Sequence, residues 1–144
     1  MDKETEADAN HRPAGHPPVA SGKIGVLIAN LGSPSGTDYW SVRRYLKEFL
    51  SDRRVIEAPR ALWWLILNGI VLTTRPSKSG HAYSIVWNKE RNEAPLVTIT
   101  RAQAEKLAPM LGDDRIVVDW AMRYGDPSIP ARLWALKEQG CERI

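Results

Sequence analysis

The chain has 144 residues, 20 of them basic and 17 acidic, and this net charge of +3 is too mild and dispersed to predict nucleic-acid binding. The length is sufficient for one domain with a hydrophobic core, and the hydrophobic fraction of 43% is ordinary for a globular protein. The single cysteine excludes a disulfide framework and fits a reducing compartment, and the three histidines show no metal-ligand spacing.

The first predicted elements are a tail and a strand. Residues 1–22 combine charge with proline and glycine and contain few apolar residues, which predicts a disordered tail. The stretch KIGVLIANLGSP, Lys23 to Pro34, carries a nearly continuous apolar run, which predicts a strand buried on both faces of a parallel sheet. Ligands of open α/β sheets bind at the carboxyl ends of strands. The turn from Asn30 to Ser33 is therefore a candidate site, although an ordinary strand-to-helix turn explains the local pattern better.

Four helices are predicted between this strand and the next. The first has N-cap chemistry at Asp38 and an apolar side at helical spacing. The second is a very apolar, tryptophan-rich run that ends before a break at Arg75–Pro76. Pro95 suits the first position of the last helix, and Gly112 suits its end. The predicted helices run from about Tyr39 to Leu50, from Ala61 to Leu72, from Ser79 to Trp87 and from Pro95 to Gly112.

A second strand and a further helix complete the predicted pattern. The strand, RIVVDWAM, runs from Arg115 to Met122, and the loop after it precedes a helix that Ser128 can cap and Gly140 can end. Cys141 then begins a third strand. This order predicts an α/β fold with a parallel sheet flanked by helices. Because two strands and part of a third are few for a sheet, we expect this chain to be the N-terminal part of a longer protein.

Several positions carry binding chemistry, each with a plain structural alternative. Arg123 and Tyr124 end the second strand, level with the turn after the first, so a binding role and a structural role are equally well supported. Arg75 offers donors for a carboxylate and Tyr83 an apolar face with a polar tip, but each alone fits an ordinary loop charge or core tyrosine better. Asp119, within the second strand, needs a partner if it is buried. No nucleophile with a base, and no carboxylate pair, is positioned by a motif.

The tryptophan-rich run from Ala61 to Leu72 lies beside a series of basic residues. Six tryptophans against one phenylalanine are unusual, and two of them, Trp63 and Trp64, are adjacent. An aromatic, apolar edge next to basic residues fits an anionic membrane surface or a pocket for an apolar ligand with carboxylates, and it fits a core helix beside a solvated face equally well. The run is interrupted at Asn68 and is shorter than the roughly 20 residues that span a bilayer.

These stretches together resemble the ferrochelatase family, whose members insert ferrous iron into a porphyrin. The resemblance covers residues 23–144 and is closest to the bacterial members. It is carried by VLIANLGSP, by the segment from RRYLKEFLSDRR to TTRPSKSGHAY, by WNKERNEAPLVTITRAQAEKLA and by VVDWAMRYGDPSI. It implies a Rossmann-like, chelatase-type domain, incomplete in this chain, in which helices flank a four-stranded parallel sheet. A second domain of the same kind would close the porphyrin cleft.

The resemblance also implies roles for individual residues. Leu31 corresponds to the position that faces the macrocycle near the metal site, and Arg123 and Tyr124 correspond to the strand-end pair that lines the cleft. Ala94 stands where the family commonly has serine, so one hydroxyl contact is missing. The implied porphyrin-binding residues are Leu31, Arg75, Tyr83, Ala94, Arg123 and Tyr124, and the implied membrane lip contains Trp63 and Trp64.

The activity implied by the resemblance belongs to haem biosynthesis. The parent enzyme, a lyase, would insert ferrous iron into protoporphyrin IX to give protohaem, and coproporphyrin fits the sequence equally well. This chain would supply one wall of the cleft, with porphyrin and ferrous iron as substrates and no bound cofactor of its own. The family's catalytic histidine, in a SAHSxP-like motif, and its acidic partner belong to the later half and are absent from this sequence. We therefore expect the chain to be inactive alone, and we assign it no metal ligand.

Two other functions fit the residues. A non-enzymatic α/β module could hold an anionic apolar ligand or rest on a membrane surface. A nucleotide-binding domain would also have a strand, turn and helix in this order, but the turn has only Gly32 and Gly36 and lacks a glycine-rich phosphate loop. For location, we expect a cytoplasmic protein with peripheral contact to the inner face of the membrane. The oligomeric state is left open.

Overall fold

The computed structural model describes residues 22–144, and the predicted tail lies outside this range except for Gly22. The strands are β1 (Lys23–Gly32), β2 (Ile116–Tyr124) and β3 (Cys141–Arg143). The helices are α1 (Tyr39–Ser51), α2 (Arg60–Ile66), α3 (Leu72–Val86), α4 (Pro95–Leu111) and α5 (Ile129–Glu138), and a π-helical segment, Leu67–Val71, joins α2 to α3. The predicted α/β class is confirmed.

Within the described residues, the three strands form one parallel sheet in the order β2-β1-β3. β1 pairs with β2 from Ile24 opposite Ile116 to Gly32 opposite Tyr124. β3 pairs with only the first two residues of β1, Lys23 and Ile24. The chain crosses from β2 over β1 to reach β3, so the strand order reverses at β1. The crevice outside the carboxyl end of β1 is where sheets of this kind bind ligands.

Helices cover both faces of the sheet. On one face, the side-chain amide of Asn30 in β1 donates to the hydroxyl of buried Thr100 in α4 at 3.0 Å. On the other face, a Cβ added at Gly25 of β1 would lie 3.2 Å from the fully buried side chain of Leu136 in α5. Positions 25 and 30 point to opposite faces because successive residues of a strand alternate. The sheet therefore lies between α4 and α5, and the predicted flanking helices are confirmed.

β1 is less buried than its apolar run predicts. Gly25 and Gly32 are its only fully buried residues, and the apolar residues from Val26 to Ile28 are half-buried. Leu31 is 49% exposed. The predicted burial on both faces is therefore only partial, because α4 and α5 each cover one face of β1 but leave its apolar side chains half-buried. The carboxyl half of β1 also has one neighbouring strand among the described residues, since β3 pairs only with the start of β1.

The main cluster of buried apolar residues lies between α1 and the helical segment that contains α2 and α3. Its members on α1 recur at helical spacing, as the sequence predicts. One member comes from the carboxyl end of β2, so the helical layer and the strand ends pack as one unit. The cluster consists of Val42, Tyr45, Leu46 and Leu50 from α1, Leu67 and Leu72 from the helical segment, and Tyr124 from β2.

The predicted helix break at Arg75–Pro76 is wrong, because α3 continues through Pro76 to Val86. Proline has no backbone N–H, so it leaves the carbonyl of Leu72, four residues earlier, without its helical donor. The hydroxyl of Tyr39 in α1 donates to that carbonyl at 3.0 Å. A side chain from another helix thus replaces the missing bond, and the two helices predicted on either side of the proline belong to one helical run.

The predicted helix ends are confirmed at several positions. The carboxylate of Asp38 caps α1 by accepting from the N–H groups of Trp40 and Ser41. Pro95 is the first residue of α4, and Gly112 follows the helix in the left-handed conformation at φ 61°. Each of these signals concerns backbone groups that are close in sequence, which is why the sequence alone located them.

Candidate functional site

The carboxyl ends of β1 and β2 lie side by side, with Gly32 paired to Tyr124. Asn30 fixes this end of β1. Its side-chain amide donates to Thr100 in α4 at 3.0 Å, and its side-chain oxygen accepts the N–H of Leu31 at 2.8 Å. Leu31 itself is 49% exposed. The turn after β1 therefore begins with an exposed apolar side chain on a backbone that is tied to α4.

Only glycine fits at two positions where the strand ends approach each other. At Gly32 the φ angle is +110°, and an added Cβ would lie 1.8 Å from the carbonyl oxygen of Tyr124. At Gly125 the φ angle is +80°, and an added Cβ would lie 2.7 Å from the carbonyl oxygen of Ser33. A side chain at either position would adopt a disfavoured conformation and overlap the backbone. The turns after β1 and β2 are therefore packed backbone against backbone.

Two carboxylates of the α1 region bind the end of β2. Glu48 and Asp52 are four residues apart and therefore lie on the same side of the helix. Glu48 Oε2 accepts the N–H of Gly125 at 3.1 Å. Asp52 Oδ2 accepts from the hydroxyl of Tyr124 at 2.9 Å and from the guanidinium of Arg123 at 3.1 Å. Three consecutive residues at the end of β2 are thereby held by α1 and the residue that caps it.

The carboxylate of Asp52 is itself fixed by the turn that follows α1. The backbone N–H of Arg54 donates to Asp52 Oδ1 at 2.8 Å, and the carbonyl of Asp52 accepts from the N–H of Val55 at 3.0 Å. The bond from Arg54, together with those from the two β2 residues, lowers the pKa of Asp52 to about 2. Asp52 is therefore ionised throughout the neutral pH range and accepts hydrogen bonds only.

Aromatic rings connect this end of the sheet to α3. Tyr45 of α1 stacks on Phe49 with ring centroids 5.9 Å apart, and Phe49 meets Tyr124 edge-on at 5.2 Å. Tyr83 of α3 packs against the same cluster. The hydroxyl of Tyr45 donates to the carbonyl of Gly32 at 3.2 Å. Burial, with a further contribution from Tyr83, raises the pKa of Tyr45 to about 12, so its hydroxyl stays protonated and remains a donor.

A cavity of about 550 Å³ lies beside these turns, next to the first turns of α4 and α5. Ser33 and Ala94 line it, and the Ser33 hydroxyl is buried without a hydrogen-bond partner among the described residues. On another side, the guanidinium groups of Arg101 and Arg132 lie 5.2 and 5.9 Å from the ring centre of Trp120. The cavity is therefore separate from the Asp52 contacts and has an aromatic wall flanked by cations.

The tryptophan-rich segment has an inner and an outer side. Trp63 is half-buried against the core cluster, and its indole N–H donates to the carbonyl of Leu50 at 2.7 Å. Trp64 is 63% exposed. No helix among residues 22–144 is long and apolar enough to cross a membrane. Four large apolar residues of the segment are more than half exposed, and we call them the apolar lip: Leu62, Trp64, Leu65 and Ile70.

This chain matches known proteins of one family. A family model described as ferrochelatase matches residues 23–144. The chain belongs to the ferrochelatase family. It is 57% identical over 143 residues to a ferrochelatase of Chelativorans sp. (strain BNC1) and 61% identical over 139 residues to one of Rhizobium etli (strain CIAT 652). A ferrochelatase of Agrobacterium fabrum is 62% identical over 133 residues. These alignments cover 99%, 96% and 92% of this chain but only 40%, 40% and 39% of the relatives.

The six porphyrin contacts that the ferrochelatase resemblance implies occupy three kinds of place in the structure. Four lie at the strand ends or in the cluster behind them: Leu31, Tyr83, Arg123 and Tyr124. Arg75 is exposed on α3 and forms no ion pair within residues 22–144. Ala94 is buried at the start of α4, where its carbonyl accepts the N–H of Val97 at 3.0 Å. Their contacts with a porphyrin stay predictions.

The groups that support these positions were not found from the sequence. The spacing of Glu48 and Asp52 on one helical side was a visible signal, but 72 positions separate Asp52 from Tyr124. The partner that Asp119 needs is also distant. Arg132 Nη1 on α5 lies 3.6 Å from Asp119 Oδ2. In each case the sequence shows one member of the pair, and only the folded topology identifies the other.

Proposed function

We propose that this chain forms one wall of the porphyrin cleft of a ferrochelatase that inserts ferrous iron into protoporphyrin IX to give protohaem. The observation that carries the proposal is the position of exposed Leu31 beside Arg123 and Tyr124, at paired strand ends and at the reversal of strand order. A porphyrin is a flat apolar ring with carboxylate side chains. Leu31 suits the face of such a ring, and the guanidinium of Arg123 suits a carboxylate at its edge.

In this proposal the wall binds and orients the macrocycle. A guanidinium has five N–H donors, and the structure shows one bond from Arg123 to Asp52, so further donors are left for a porphyrin carboxylate. Exposed Arg75 is a second source of donors. Ferrous iron is the other substrate. No three His, Cys, Asp or Glu side chains within residues 22–144 are grouped closely enough to hold a metal ion.

Porphyrin binding by the chain tests this proposal. Protoporphyrin IX and coproporphyrin are titrated separately into the 144-residue chain, and quenching of tryptophan fluorescence gives Kd. Leu31→Asp places a charge against the ring and is expected to weaken binding about tenfold, because a buried leucine contributes about 1.5 kcal/mol or more. Leu111→Asp is the matched control, because Leu111 is 40% exposed at the other end of α4. Equal Kd values for the two variants would contradict the proposal.

Metal insertion is the second test. The chain alone is mixed with porphyrin and either ferrous iron or zinc, and the change in porphyrin absorption gives the insertion rate. We expect the uncatalysed rate, because the catalytic histidine and the acidic partner that the resemblance implies are absent from this sequence. Insertion faster than the uncatalysed rate would show that residues of this chain catalyse the reaction without them.

We further propose that the apolar lip rests on the inner surface of the cytoplasmic membrane. On α1, Tyr39 donates to the carbonyl of Leu72, two residues after Ile70 of the lip. The residue after Tyr39, exposed Trp40, carries the guanidinium of Arg43 5.8 Å from its ring centre. Exposed apolar rings with nearby cations favour an anionic lipid surface. In flotation with vesicles that contain phosphatidylglycerol, Trp64→Ser is expected to reduce binding. Trp134→Ser is the matched control, because Trp134 on α5 is also 63% exposed.

The vesicle experiment also separates the proposal from its alternative. Vesicle binding without porphyrin binding would favour the non-enzymatic membrane module. Equal vesicle binding by Trp64→Ser and Trp134→Ser would exclude the lip as the contact. Loss of vesicle binding in Trp64→Ser alone, with porphyrin affinity retained, is the result that we expect.

A further inference from the structure

We infer that Asp52 is a positioning residue that sets the orientation of Arg123 and Tyr124 at the carboxyl end of β2. Glu48 assists by holding the next residue, Gly125. The inference rests on the proposed function, since the ligand that this pair would meet is the porphyrin. Neither carboxylate is among the residues that the sequence or the family resemblance singled out.

The two oxygens of the Asp52 carboxylate have separate partners. Oδ1 accepts the backbone N–H of Arg54 at 2.8 Å, which ties the carboxylate to its own turn. Oδ2 accepts from the Tyr124 hydroxyl at 2.9 Å and from the Arg123 guanidinium at 3.1 Å. Both β2 side chains therefore end on the same oxygen of a carboxylate that the backbone has already oriented. One rigid group sets the direction of two candidate ligand contacts.

Arg123 is the side chain that most needs this support. Residues alternate along β2, so Tyr124 is buried in the core cluster whereas Arg123 is exposed. An exposed arginine has many rotamers of similar energy. Here its guanidinium carbon lies 5.6 Å from the ring centre of Tyr124, and its Nη2 is bonded to Asp52. The ring and the carboxylate together hold the guanidinium in one place, with donors remaining for a ligand.

Glu48 extends the same support by one residue. Its Oε2 accepts the N–H of Gly125 at 3.1 Å, where the backbone has a φ angle of +80°. That turn packs against the carbonyl of Ser33 from the turn after β1. α1 thus fixes the end of β2 against the end of β1. The distance between Leu31 and Arg123 therefore depends on the contacts of the turn at Gly125, in which neither of those two residues takes part.

Asp113 provides a matched control for Asp52. Its Oδ1 accepts the backbone N–H of Arg115, two residues later, at 2.9 Å, just as Asp52 accepts that of Arg54. Its Oδ2 accepts from the Arg115 guanidinium at 2.7 Å. Asp113→Asn therefore removes the same charge from the same kind of local turn. Asp113 lies in the segment that leads into β2, at the amino end of the strand, whereas Asp52 binds residues at its carboxyl end.

The experiment compares Asp52→Asn with Asp113→Asn in the 144-residue chain. The Kd for protoporphyrin IX is measured well below the melting temperature, and the heteronuclear NOE of the Arg123 side-chain Nε–H reports its order. We expect Asp52→Asn to weaken porphyrin binding about tenfold and to lower the NOE, with Asp113→Asn leaving both unchanged. A purely structural role would lower the melting temperature without moving either measurement in the folded protein, and that result would overturn the inference.

Failure of the proposed function gives a different result from failure of this inference. If the unmodified chain binds no porphyrin but Asp52→Asn still lowers the Arg123 NOE, the positioning role stands and the porphyrin proposal falls. An unchanged NOE in Asp52→Asn overturns the positioning role whatever the chain binds. If Asp52→Asn does not fold, Asp52→Glu keeps the charge but moves the carboxylate away from its two β2 partners and is expected to lower the Arg123 NOE, and an unchanged NOE in that variant would overturn the positioning role.

Discussion

The paired strand ends and the apolar lip are the two regions with candidate functions, and they are held in opposite ways. At the strand ends, backbone packs on backbone and carboxylates from the α1 region bind residues far away in sequence. In the lip, the apolar side chains are more than half exposed, and the side chain of Asn68 within the same segment bonds locally to the carbonyl of Trp64 at 2.9 Å. Function at the strand ends therefore depends on the fold, whereas function at the lip depends on surface composition.

The largest expected effect comes from disrupting the backbone packing between the strand ends at Gly32. In Gly32→Ala the new Cβ would lie 1.8 Å from the carbonyl oxygen of Tyr124, at a φ angle of +110°. The strands must move apart, and we expect a loss of about 4 kcal/mol in the free energy of unfolding. Urea denaturation measures it.

Gly112→Ala is the control for backbone conformation alone. Gly112 has a φ angle of +61°, but nothing lies within 4 Å of an added Cβ. We expect a loss of about 1 kcal/mol, the cost of the left-handed conformation. Equal losses for the two variants would show that close packing at the strand ends adds nothing to the conformational cost.

The second effect contrasts a leucine beneath the lip with one on it. Leu72 is fully buried, and Leu65 is 61% exposed. Leu72→Ala leaves a cavity in the core cluster and is expected to lower the free energy of unfolding by about 3 kcal/mol. Leu65→Ala is expected to change it by less than about 0.5 kcal/mol. A large destabilisation by Leu65→Ala in urea would mean that the lip is part of the fold and not a free surface.

The third effect concerns the bond that joins α1 to the helix behind the lip. Tyr39→Phe removes the donor to the Leu72 carbonyl and is expected to cost about 1 kcal/mol in urea denaturation. In the Pro76→Ala background the cost should be smaller, because alanine restores the backbone N–H that the carbonyl normally accepts. The double-mutant cycle isolates this coupling. Identical costs in both backgrounds would mean that the Tyr39 hydroxyl does not substitute for the missing helical bond.

The sequence predicted correctly those features that depend on residues within a single helix or strand. Asp38, Pro95 and Gly112 mark helix ends through backbone groups within a few residues of them. The apolar runs located β1 and β2, and βαβ order predicted their parallel pairing. The pairing of Gly32 with Tyr124 then placed both strand-end turns together, as their positions in the chain predicted.

Sequence reasoning failed where the deciding group comes from another element. Pro76 looked like a helix break because the hydroxyl that compensates for it belongs to Tyr39, on α1. β1 looked fully buried because its apolar run does not reveal how little of it β3 covers. Asp52 was not singled out because its two β2 partners lie more than 70 positions away. These features depend on tertiary contacts, which local pattern does not contain.

The smallest expected effect at the strand ends concerns the pKa of Asp52. Its pKa of about 2 lies below the ordinary value of about 3.9 for an aspartate, chiefly because of the Arg54 N–H and then the β2 donors. A lowered folded-state pKa means that the carboxylate stabilises the fold above about pH 4 and loses this contribution as the pH falls towards 2. The pH dependence of the Asp52 carboxyl carbon shift in NMR measures the pKa directly.

Arg123→Gln separates the two kinds of donor that act on Asp52. The guanidinium is lost, but the Arg54 N–H and the Tyr124 hydroxyl remain, so we expect the pKa of Asp52 to rise yet stay below the ordinary value of about 3.9. Asp113, whose pKa is also lowered to about 2 by its bonds to Arg115, is observed in the same spectra and should not move. An unchanged Asp52 pKa would show that Arg123 does not bind this carboxylate in solution. The Arg123 side chain would then be as free as the side chains of the lip, and the contrast between the two regions would rest on buried Tyr124 and on the packed backbone at Gly32 and Gly125.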